Sequence, residues 1–120
     1  MPGRASVKDW KINGMSMPER LDFQLSISNT QFEILCRGKI PEDMDDKWFI
    51  YFEEGYLHFH RSWTGFEIFR LHFLKVEAQD CHKVQECFVE TDKNRYSCID
   101  EDRNKRLLLV LINDCLHNLW

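Results

Sequence analysis

The sequence predicts an α+β domain: a mainly antiparallel meander sheet of about six strands, with one C-terminal helix packed on one face. Three observations lead there. Apolar residues alternate with a period of two in several runs before residue 92. Glycine- and aspartate-containing turns separate those runs, and after residue 100 the apolar spacing changes to three and four.

The elements follow in order. "RLDFQLSIS" puts Leu21, Phe23, Leu25 and Ile27 on one side and Asp22, Gln24 and Ser26 on the other, as in a half-buried strand. Ser28 and Asn29 make a turn, and "TQFEILCR" is expected to be a second strand with Phe32 and Ile34 inward. "GKIPEDMDDK" breaks the pattern with Gly38, Pro41 and four acids, and reads as a solvated loop. "KWFIYFE" and "YLHFHR" flank Glu54-Gly55, a tight-hairpin signal in which glycine supplies the positive φ. "FEIFRLHFL" and "KVQECFVET" complete the sheet. Asp100 then caps "EDRNKRLLLVLINDCLH", read as a helix from about Glu101 to His117. Its stretch Leu107 to Ile112, six consecutive apolar residues, fits a strand as well.

Composition bounds the rest. A chain of 120 residues gives one domain, 19–120, after a leader at 1–18 that Pro2, Gly3, Gly14 and Pro18 should keep flexible or loosely docked. An apolar fraction of 43% suffices for a core, and no apolar run is long enough to cross a bilayer. No secretory h-region is visible, and the five cysteines are odd in number and irregular in spacing. Reduced thiols and a cytoplasmic setting are therefore expected. A net charge of −4 argues against binding duplex nucleic acid, although one or two arginines would hold a small anion.

Register locates the polar face. With Glu54-Gly55 as a two-residue turn, Tyr51 faces His58 and Phe49 faces His60, so Ile50, Phe52, Leu57 and Phe59 share the other face. Across the next turn, an even loop would bury Ile68, Arg70 and His72 beside Phe59, and an odd one Phe69, Leu71 and Phe73. Burying Arg70 without a partner costs several kcal/mol, so the odd register is expected. Tyr51, Glu53, Tyr56, His58, His60, Arg70 and His72 then gather on one face, with Arg61 and Trp63 in and beside the adjoining loop.

Several chemistries are open to such a face. Three histidines, with Glu53 or Tyr56, have the residue types for zinc, but imidazoles on a flat strand surface diverge, and no metal or other cofactor is expected. "CHKVQEC" matches no usual zinc spacing. Arg61 and Arg70 suit phosphate or carboxylate, or an internal ion pair with Glu53 or Glu67. Ser62 beside His60 makes no hydrolase, because no nucleophile elbow surrounds it. "HRSWTG" reads as a loop in which Ser62 and Thr64 bond the backbone, Gly65 takes positive φ, and Trp63 packs over the sheet end or meets a partner.

The segment "KWFIYFEEGYLHFHRSWTGFEIFRLHF", Lys47 to Phe73 and roughly a quarter of the chain, resembles a stretch of small uncharacterised bacterial proteins. Some of these stand alone and some are attached to domains of ADP-ribose metabolism. The resemblance implies a nucleotide- or ADP-ribose-linked context and no catalytic assignment. The expectation is a cytoplasmic, non-enzymatic binding or accessory domain of bacterial type. It would hold a protein, a secreted toxin among them, or a small anionic ligand. The alternative is a small enzyme acting on a nucleotide or ADP-ribose derivative, with His58, His60 or His72 as acid–base. Exposed aromatics leave a homodimer open.

Overall fold

The computed structural model describes residues 4–43 and 45–117 of the 120. Six antiparallel strands form an open sheet. At one edge β1 (Pro18–Arg20) and β2 (Ser26–Ser28) both pair with β6 (Cys81–Glu90). Next come β5 (Glu67–Val76), β4 (Tyr56–Arg61) and, at the far edge, β3 (Trp48–Glu53). A short helix α1 (Asn29–Leu35) follows β2, and the long helix α2 (Glu101–His117) ends the fold. None of the described helices is long and apolar enough to cross a membrane.

The α+β meander expected from the alternation is present, with two local differences. Of the strand expected over "RLDFQLSIS", only the ends are strand, β1 closing at Arg20 and β2 opening at Ser26. Residues 21–25 between them run beside β6 outside any strand, bonded to it through Leu21 N–H to Cys87 O and Val84 N–H to Leu25 O. Arg20 stands opposite Phe88 and Ser26 opposite Lys83, so the edge has one residue more than β6 over the same stretch. That residue interrupts the ladder while Leu21, Phe23 and Ile27 stay buried. The second difference is a correction: the strand expected at "TQFEILCR" is helix α1. The Ser28 hydroxyl accepts from the Gln31 amide at 3.1 Å, and the Gln31 side chain accepts from the Ser28 amide at 3.0 Å. This capping box starts a helix where alternation alone suggested an extended chain.

The helix α2 has the expected bounds. The Asp100 carboxylate accepts from the amides of Asp102 and Arg103 at 3.0 and 3.2 Å, and Leu108, Leu111, Ile112 and Cys115 are buried. They lie in one cluster with Leu57, Phe59, Phe69, Leu71 and Cys87 from the sheet and Leu35 from α1. This is the main core. Tyr96 donates to Asn104 at 2.5 Å and fixes the chain leading into the helix.

The opposite face of the sheet carries a smaller core of Ala5, Phe49 and Tyr51, against which Trp10, Ile12 and Ile40 pack. Residues 4–17 of the expected leader are therefore docked. Ala5 donates to Arg37 O at 2.8 Å and the Trp10 indole to Ser62 O at 2.8 Å. Asn13 forms a parallel bridge with Phe66. Farther along, the Glu90 carboxylate accepts from the amides of Ser16 and Met17 at 2.7 and 2.8 Å.

Candidate ligand-binding face

The hairpin between β3 and β4 has the register that its turn dictates: Tyr51 faces His58 and Phe49 faces His60. Glu54 and Gly55 both have positive φ, 54° and 88°, the turn whose twist matches the strands it joins. Between β4 and β5 the odd register also holds, with Phe59 opposite Phe69 and His58 opposite Arg70. Phe69, Leu71 and Phe73 enter the main core and Arg70 does not.

The odd residue sits somewhere other than the loop. His60 pairs with Glu67 and Phe59 with Phe69, so Ile68 is an extra residue in β5. Such a bulge has a chemical consequence. On a regular strand residues i and i+3 point to opposite faces; here Glu67 and Arg70 share one. Glu67 is 2% exposed. Its carboxylate accepts from Arg70 Nε at 2.9 Å and Arg70 Nη2 at 2.6 Å, and lies 2.6 Å from His58 Nδ1.

Electrostatics follow from these contacts. Burial pushes the Glu67 carboxyl upward, but the bonds from Arg70 and His58 outweigh it and hold the group down at about 2. With Glu67 ionised, its carboxylate can only accept, so the His58 Nδ1 contact is a donated N–H. Arg70 is raised further above its ordinary range by the Glu67 carboxylate. Tyr51, stacked on His58 with centroids 4.6 Å apart, is pushed up to about 12 by burial and by the charges of Glu67 and Glu53.

His60 is 1% exposed. Its Nδ1 lies 2.8 Å from the Gly65 carbonyl, which can only accept, so Nδ1 carries the proton. Nε2 is buried and has no hydrogen-bond partner among the described residues. Burial holds this imidazole below its ordinary range, the Gly65 carbonyl opposing.

The expected site residues therefore divide. His58, His60, Tyr51 and Arg70 come together around Glu67. Tyr56 and His72 stack on each other with centroids 4.7 Å apart, toward the Glu54-Gly55 end, and Glu53 is exposed there. Arg61 is not part of the group; its guanidinium lies 5.1 Å over the Trp48 ring, which itself stacks on Phe69 in the main core. Trp63 is 64% exposed at the sheet end, where it lines a cleft of about 570 Å³ with Trp10, Pro41 and Asp43. In its loop Ser62 donates to Asp46 O at 2.7 Å, Thr64 accepts from the Phe66 amide, and Gly65 has φ 78°.

The face is also less open than the alternation implied. Tyr51 and His60 are buried because the docked leader and Ile40 lie over Phe49 and its neighbours. Only the half bearing Tyr56, His58, Arg70 and His72 reaches solvent. Glu67 entered the sequence reading only as an ion-pair partner, because no composition signal marks a bulge at Ile68.

The five cysteines are free. Cys87 is in the main core, and His82 lies flat on Phe32 with centroids 3.7 Å apart. No protein-family model matches this chain, and no match is found among curated proteins or solved structures.

Proposed function

We propose that this chain is a small non-enzymatic binding module whose open half-face holds an anionic group of a small ligand or of a protein partner. One observation carries the reading. Arg70 is fixed in place by a buried carboxylate, yet its side chain is still 33% exposed. Glu67 occupies Nε and Nη2, which leaves the edge with Nη1 to meet a phosphate or carboxylate. The Tyr56–His72 stack supplies an aromatic platform at the neighbouring cross-strand pair of β4 and β5. A guanidinium already held in one geometry loses little freedom on binding, which favours affinity.

The experiment is a thermal-shift series with ADP-ribose, nucleotides and pyrophosphate on the wild type and on Arg70→Gln. A probe at 100 times its dissociation constant stabilises by about 2.7 kcal/mol. The expected result is a raised Tm with at least one anionic probe and no shift in the variant. Equal responses from both chains, or none from either, would reject an anion site at Arg70.

A second reading has its own support. The Glu67 carboxylate orients His58 through Nδ1, as a general base is oriented. His58 would then act on a nucleotide-linked substrate, and His58→Gln would abolish turnover while leaving affinity nearly intact.

A further inference from the structure

We propose that His58, His60 and Glu67 form a binding site for a divalent transition-metal ion of the zinc class, between β4 and β5 beside the N-terminal segment. One ligand atom from each residue lies within 4.8 Å of the other two. A modest contraction brings such a group to the 2.0–2.2 Å bonds that zinc makes with imidazole and carboxylate.

Three features favour an ion over a purely structural cluster. The first is the orphaned His60 Nε2. It is a buried acceptor on a ring that is 1% exposed, and a polar atom left in that state costs free energy unless something binds it. The second is the outer contact of each ring. His60 gives Nδ1–H to the Gly65 carbonyl at 2.8 Å, the support that fixes tautomer and orientation in metal-binding histidines. The His58 ring is held by stacking on Tyr51, with centroids 4.6 Å apart. The third is the ligand set: two imidazoles and one carboxylate from adjacent strands suit divalent first-row ions, with coordination positions left for water.

Arg70 opposes the ion. Its charge sits 2.6 Å from one Glu67 oxygen and weakens the attraction for a cation. With a third of its side chain exposed, it can keep its bond to that oxygen while a remaining carboxylate lone pair turns to the metal. Carboxylate ligands are commonly hydrogen-bonded in this way. The charge also separates this inference from the anion site above, on which it does not depend. Arg70→Gln should abolish anion binding and tighten metal binding.

The test uses untagged full chain, stripped with chelator, to which zinc alone is added and followed by calorimetry. The expected result is one zinc per chain and a Tm raised by several degrees. Cobalt(II) in its place should show the weak visible bands of nitrogen and oxygen ligation without a thiolate charge-transfer band, which excludes Cys81 and Cys98. His58→Gln and His60→Asn should each weaken binding at least tenfold, and Arg70→Gln should strengthen it. If His60→Asn fails to fold, His58→Gln decides, because that ring is partly exposed. No uptake of zinc, thiolate-type cobalt spectra, or undiminished binding in His58→Gln would overturn the site.

Discussion

The two faces of the sheet are filled by different means. Against α2, Leu57, Phe59, Phe69 and Leu71 meet Leu108, Leu111 and Ile112, and no contact there needs a particular direction. On the other face Phe49 and Tyr51 share the interior with His58, His60, Glu67 and Glu90. A polar atom there costs free energy unless it finds a partner, which His60 Nε2 alone of these side chains' buried atoms lacks. Glu67 finds Arg70 and His58, His60 finds the Gly65 carbonyl, and Glu90 finds backbone amides. The first face supplies cohesion. The second supplies positions, and a set of fixed positions is what a ligand reads.

This contrast gives an order of effects. Phe59→Ala removes a fully buried ring from the cohesive face and should cost about 3–5 kcal/mol in urea unfolding. A cost below about 1 kcal/mol would show that α2 contributes little to holding the sheet.

On the positional face Glu67→Gln should cost about 2 kcal/mol, less than a fully buried pair because Arg70 can turn to water. Its signature is in the pH profile. The carboxyl sits at about 2 in the folded chain against an ordinary 4.5, so the folded state binds its proton more weakly. Its stabilisation is complete above 4.5 and disappears as pH falls towards 2. Metal-free wild type should therefore lose stability over that interval more steeply than the Gln variant. Parallel profiles would mean that Glu67 is not held by charge.

The smallest effect is expected at the seam. Trp10→Ala, a half-buried ring stacked on Phe49, should cost about 1–2 kcal/mol. Amide exchange should quicken in β3 before it quickens in α2; uniform loss would merge the two faces into one cooperative unit.

Sequence reasoning reached the cohesive face almost whole and the positional face in part. Alternation and the Glu54-Gly55 turn define which residues oppose one another, and the cost of burying Arg70 was enough to choose between registers. The helix from Glu101 is announced by its acids and by its three- and four-residue spacing. What alternation could not supply is the docking of residues 4–17, which rests on packing of Ala5, Trp10 and Ile12 and on hydrogen bonds from Ala5, Trp10, Asn13, Ser16 and Met17 to distant partners. Nor could it supply the bulge at Ile68, which moves Glu67 onto the histidine face. At "SNTQFEIL" a signal was present: serine followed three residues later by glutamine outweighs the alternation of Phe32 and Ile34.

Glu90 grips the amides of Ser16 and Met17 across 74 and 73 positions of chain, and those of Thr91 and Asp92 beside it. The grip joins the opening stretch to the end of the last strand, so the polypeptide is buckled into a loop by one anion instead of a covalent bond. During synthesis Ser16 and Met17 leave the ribosome long before their anchor exists. Their amides stay unfastened until residue 90 emerges, whereas Ala5, Trp10 and Asn13 have partners at Arg37, Ser62 and Gly65 that are made earlier.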